Sequence, residues 1–195
     1  MEKNGSFLEA IKADARMHTI HWKGASTSHI FFNLLLRPGF HLALAIRCQR
    51  VIGKIPIIGP FVRRVMWYFT TIWFACDIDP MTEIGPGVYF PHPIGIVIGG
   101  EWVIGANVSI LQGVTLGRRE GEILTGRPRV GDGAVLSVGA KVIGAVDIGD
   151  KAQIGANAVV LQPVPAGWTA VGVPARMIPP KETRGASQPS DFRTH

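Results

Sequence analysis

The sequence predicts a mainly β solenoid, a triangular coil of short flat strands entered through an α-helical region. Two observations predict it. From Ile78 onward an aliphatic or aromatic residue recurs every six positions: Ile78, Ile84 and Phe90, then Ile98, Ile104, Ile110 and Leu116, then Val130, Leu136, Val142, Ile148, Ile154 and Val160. Glycine follows that residue at 85, 99, 105, 117, 131, 149 and 155. Before Ile78 the pattern is different, with helix-like runs separated by Gly and Pro at "RPG", "GKIP" and "IGP".

A six-residue period fits neither a 3.6-residue helix nor a strand of period two. It fits a solenoid in which each hexapeptide is one strand, three strands make one coil, and the repeated apolar residue points inward to stack on its equivalents. The series slips twice, by eight residues between Phe90 and Ile98 and by fourteen between Leu116 and Val130. Each slip inserts two residues beyond a multiple of six, and solenoid insertions are displayed on the surface. The first holds "PHP" with His92; the second holds the polar loop "GRREGEILTGRPR".

The division is therefore 1–75 helical, 76–180 solenoid, and 181–195 a polar tail expected to be disordered. The helical runs are "SFLEAIKADARMH", "TSHIFFNLLLR", "GFHLALAIRCQRVIG" and "GPFVRRVMWYFTTIWFA". The last contains ten apolar or weakly polar residues from Met66 to Ala75, too few to cross a bilayer, which reads as a buried helix or an interfacial segment.

Composition narrows the classes. The chain of 195 residues is 47% hydrophobic and 17% charged, which excludes wholesale disorder. Two cysteines, Cys48 and Cys76, exclude a disulfide framework, and the N-terminus has no apolar signal core, so a cytoplasmic location is expected. The net charge of +6 is concentrated: residues 1–75 carry ten Lys/Arg against three Asp/Glu, and residues 76–180 carry seven against nine. A basic helical region permits peripheral contact with an anionic membrane. Basic residues without interleaved aromatics give no nucleic-acid signature, and no metal-ligand spacing is present.

The segments "DIDPMTEIGPGVYFPHPIGIVIG", "NVSILQGVTLG" and "AVVLQPVPAGWTAVGVPARMI" resemble the serine acetyltransferase family of hexapeptide-repeat acyltransferases, over about Asp77 to Ile178. The upstream "RPGFHLALAIR" is similar to the helix preceding the coil in that family. The resemblance implies a left-handed parallel β-helix, a homotrimer and acetyl-CoA as co-substrate. It places His92 on the catalytic base and Asp77 on the aspartate paired with it. Imidazole suits removal of a hydroxyl proton near neutral pH, and a carboxylate on its far nitrogen holds the tautomer. Their fifteen-residue separation is close to one coil of eighteen, which would stack them as neighbours. Gly117, Gly139, Ala156 and Arg176 fall on positions lining the pantetheine groove, with Arg176 suited to a CoA phosphate.

Three acceptor positions depart from the family: Pro91 replaces an aspartate, Gly24 replaces a second one, and Gly126 and Arg127 replace an Arg-His pair. With these losses, and a short helical region that resembles the acetyltransferases of exopolysaccharide or capsule synthesis, the expected acceptor is a sugar of an exopolysaccharide or capsule precursor. The alternatives are L-serine, with Arg127 gripping its carboxylate, and a solenoid scaffold without catalysis.

Overall fold

A computed structural model describes residues 6–19, 34–119, 121 and 126–180. The tail 181–195, Gly24 and most of the run 27–37 lie outside the described residues. Among the described residues three helices come first: α1 (Phe7–Thr19), α2 (Pro38–Ile52) and α3 (Ile58–Phe74). Pro38 starts α2, where its missing N–H is one the helix would leave unpaired anyway. Gly59 lets α3 approach α2, since a Cβ there would lie 2.3 Å from the Ile52 carbonyl oxygen.

Thirteen strands of two or three residues follow, from β1 (Asp77–Ile78) to β13 (Arg176–Ile178). The first face of the coil stacks β1, β3 (Val97–Ile98), β6 (Thr115–Gly117), β9 (Lys141–Ile143) and β11 (Val159–Val160). The second stacks β2 (Glu83–Ile84), β4 (Val103–Ile104) and β7 (Arg129–Val130), continued by single bridges at Ile148 and Val164. The third begins at Tyr89 and stacks β5 (Ser109–Ile110), β8 (Val135–Leu136), β10 (Gln153–Ile154) and β12 (Thr169–Val171), with β13 antiparallel at its edge. All other pairings between strands are parallel.

Every member of the six-residue series is buried. A second inward column lies two residues before these positions, at Cys76, Val88, Ile96, Trp102, Val108, Val114, Ala134, Ala140, Val146, Ala152 and Ala158, while Val164 and Ala170 continue the first column opposite Ile148 and Ile154. The two columns together make the core. The corners turn on left-handed residues: Gly95, Gly113, Gly139 and Asn157 form one corner, and Gly87, Asn107, Gly133, Lys151 and Gly167 another. Gly and Asn tolerate this conformation better than other residues, which accounts for much of the glycine content.

The helices close the open end of the coil. The first coil has no preceding coil to pair with, so its backbone needs other partners. Arg47 of α2 donates from Nη1 to Ile84 O and from Nη2 to Gly85 O (2.6 Å), and from Nε and Nη2 to the Asp14 carboxylate (3.0 and 3.1 Å). Asp14 of α1 also accepts from the N–H groups of Gly87 (2.8 Å) and Val88 (3.0 Å). His18, one turn further along α1, donates from Nδ1 to Asp14 O (2.8 Å) and accepts at Nε2 from Phe90 N–H (3.4 Å). Asp14 and Arg47 are 1% and 5% exposed. Three polar side chains thus supply to residues 84–90 the partners that a coil would have supplied.

Candidate active site

His92 follows directly from this capped edge, in the eight-residue step, with its two inserted residues, between the third and first faces. Phe90, fully buried, holds the segment on one side; on the other, Ile94 N–H donates to His92 O (2.9 Å) and Gly95 N–H to Ala75 O (2.8 Å). Pro93 is buried and Pro91 half-buried, while the imidazole is exposed. Two prolines restrict the backbone on either side, so the ring is presented from a segment with little freedom.

The corner carrying His92 continues along the coil axis. Gly113 N–H donates to Ile94 O, Gly139 N–H to Gln112 O, and Asn157 N–H to Val138 O, at 2.9, 2.9 and 2.8 Å. His92, Gln112, Gly139 and Ala156 therefore stand on one edge of the prism in successive coils. Three steps of strand spacing put the two ends about 14 Å apart. Ala156 is exposed at the far end. Gln112, which the sequence reading did not single out, has a buried Oε1 without a hydrogen-bond partner among the described residues. Its signal in the sequence is a polar residue in "SILQGVTLG" at a corner position.

Asp77 begins the first face, and its register partner is Val97, twenty residues on, not His92. The insertion lengthens this coil beyond eighteen, so the expectation of direct stacking is corrected: His92 stands at the corner preceding Asp77's neighbour strand. The Asp77 carboxylate accepts from the Trp67 indole N–H (3.1 Å), which ties it to α3.

The two glycines placed on the cofactor groove differ. Gly139 has φ +68, and a Cβ there would lie 2.1 Å from Asn157 Oδ1, so the corner itself requires glycine. At Gly117, at the end of β6, a Cβ would meet only Ile143 Cδ1 (3.5 Å) and Thr115 Cγ2 (3.7 Å). Among the described residues nothing demands glycine at 117. Arg176 is exposed on β13, opposite Val171.

Arg127 does not serve as a free carboxylate reader. Its Nη1 is paired with Glu83, its Nε donates to Glu101 O (3.0 Å), and its Nη2 to the carbonyls of Trp102 (3.2 Å), Gly100 (3.3 Å) and Met81 (3.4 Å). All three donor nitrogens are engaged, so the expectation that Arg127 binds substrate is corrected: it clamps the return of the long insertion onto the second face.

A three-faced parallel coil of hexapeptides, capped by helices and carrying a histidine on an exposed edge, defines a hexapeptide-repeat protein of acyltransferase type. No family model matches the sequence. The chain is 39% identical over 145 residues to the serine acetyltransferase of Helicobacter pylori (strain J99), covering 74% of this chain and 84% of that one. It is 48% identical over 108 residues to the serine acetyltransferase of Haemophilus influenzae, covering 55% of this chain and 40% of that one. A solved serine acetyltransferase in complex with CoA superimposes with a TM-score of 0.75 and 36% identity, over 89% of this chain and 70% of that one.

The chain belongs to the serine acetyltransferase family. It spans less than half of the Haemophilus relative and most of the Helicobacter one. These relatives overturn the expectation of a saccharide acceptor: at 39 and 48% identity they are serine acetyltransferases. The departures at Pro91, Gly24 and Arg127 concern side chains alone and carry no information about backbone or other groups that could hold an acceptor.

Proposed function

We propose that this chain transfers an acetyl group from acetyl-CoA to the hydroxyl of L-serine, as a cytoplasmic homotrimer of left-handed β-helices. The observation that carries this reading is the single edge on which His92, Gln112, Gly139 and Ala156 succeed one another. It offers a base at one end and a strip of small residues long enough for an extended pantetheine arm. Two free cysteines suit the cytoplasm.

Acetyl-CoA supplies the acetyl group as an activated thioester. His92 removes the proton of the serine hydroxyl as its oxygen bonds to the thioester carbon, and returns that proton to the departing sulfur. Asp77 orients the imidazole; its carboxylate retains lone pairs beyond the one that receives the Trp67 N–H. The unpartnered Gln112 Oε1 accepts from an N–H of bound substrate, which would remove the cost of leaving that oxygen buried and unpaired. Gly117 and Gly139 let the arm approach the backbone, Ala156 keeps the edge low, and Arg176 meets a CoA phosphate.

The test is thiol release from acetyl-CoA with L-serine, and with L-threonine as a control acceptor. The wild-type chain should release CoA in a serine-dependent manner, and His92→Ala should lower kcat by about 10²–10⁴-fold. Absence of serine-dependent release, or a variant retaining more than about a tenth of the rate, would overturn the assignment.

A further inference from the structure

Helix α3 is turned inside out. Its buried side is built from Gly59 with half-buried Val62, Met66, Trp67, Thr70, Thr71 and Phe74. Its outward side carries Ile58, Phe61 (70% exposed), Val65, Tyr68, Phe69, Ile72 and Trp73 (85% exposed). At 100° per residue these seven fall in an arc of about 140°, along a helix about 25 Å long. The turn before the helix extends the same surface with exposed Ile55 and with Ile57, 98% exposed at φ 66, a conformation that a β-branched residue adopts only under strain. Surface helices of globular proteins place such a stripe inward, and an apolar patch of this extent marks an interaction surface.

The charge around the patch identifies the kind of partner. No Asp or Glu occurs between Asp14 and Asp77. Over the same span stand exposed Lys54, in the turn before the helix, and exposed Arg64 on the flank of the patch, with Arg64 lying over the Trp67 ring at 4.0 Å. The same face on a second copy would bring further cations, with Asp77, held by the Trp67 indole, as the carboxylate adjoining α3. An anionic phospholipid surface offers apolar depth for the aromatic side chains and negative charge for the rim. No described helix is long and apolar enough to cross a membrane.

We propose that α3 and the Ile55–Ile58 turn dock this protein onto an anionic bilayer, with the helix lying in the interfacial plane. Trp73, Phe69 and Phe61 enter the headgroup–acyl boundary, while Arg64 and Lys54 contact lipid phosphates.

Flotation of the full chain with vesicles of phosphatidylcholine alone, or with about one third phosphatidylglycerol, tests this. Binding should be confined to the anionic vesicles and weaken with salt. Lys54→Gln with Arg64→Gln should lower the partition coefficient on the order of twentyfold, at about fivefold per cation near a charged surface. Phe69→Ser with Trp73→Ser should abolish flotation while circular dichroism and mass in solution stay as in the wild type. No flotation of the wild type, or flotation that survives Phe69→Ser with Trp73→Ser, overturns the proposal. So does a fall in oligomeric mass in that variant, which would assign the face to a second copy. None of these readouts depends on the acceptor, so failure here is distinguishable from failure of the proposed activity.

Discussion

Replacing Arg47 by Met removes the centre of the cap between the helices and the first coil. Methionine fills much of the same volume, so the change is one of charge and hydrogen bonding. The Asp14 carboxylate would remain buried with only the Gly87 and Val88 N–H groups to hold it, and the carbonyls of Ile84 and Gly85 would lose the donors they have now. Removing one partner of a buried ion pair costs about 3–5 kcal/mol, because the other charge stays behind. For a chain of this size that lowers Tm by about 6–20 °C, at about 2–4 °C per kcal/mol. The assay is urea and thermal unfolding followed by circular dichroism, on Arg47→Met, Asp14→Leu and the double variant. The double variant should be more stable than the sum of the two single losses, since it leaves no orphaned charge. An Arg47→Met cost below about 1 kcal/mol, or strict additivity, would refute the view that this pair substitutes for a missing coil.

Two further outcomes follow from the same geometry. Gly139→Ala should destabilise the fold, because its φ is positive and Asn157 Oδ1 occupies the space, whereas Gly117→Ala should leave unfolding unchanged and raise the KM for acetyl-CoA; urea midpoints and initial rates on both variants check this. Burial, the dominant influence, holds the His18 imidazole below its ordinary pKa, opposed by its hydrogen bond and attraction to Asp14 and assisted by Arg37. The unfolded chain therefore binds the His18 proton at higher pH than the folded chain, so His18 costs stability as pH falls through about 6.5. Urea midpoints at pH 7.5 and 5.5 should show a drop in the wild type that is smaller in His18→Gln.

The first inward column was legible in the sequence because its members are large, apolar and regularly spaced. The second was not, although it is equally buried. It mixes Ala, Val, Ile, Cys and Trp, and a small residue such as Ala134 or Ala152 signals nothing in isolation. The candidate base was legible through the register slip around His92, but that slip also displaced the pairing, so Asp77 met Val97 instead. Arg127 was misread because a guanidinium in an insertion looks available until the carbonyls of Gly100 and Trp102 are seen beside it. The acceptor was misread because missing side chains were weighed as though no other group could act, while Gln112, with its unpaired oxygen, went unnoticed. Helix α3 was read as buried or interfacial on hydrophobicity alone; only the structure shows which side its aromatic residues take.

The capped first coil and the antiparallel β13 seal the two ends of the solenoid by different means. A stack of parallel strands is otherwise a template that could grow by end-to-end addition of further chains. With polar side chains occupying one end and a reversed strand occupying the other, growth is blocked at both. The length of the His92 edge is thereby fixed for a given chain, and a longer or shorter groove could arise only by adding or deleting whole coils between the caps, as a ruler is recut from its middle with both end-marks kept.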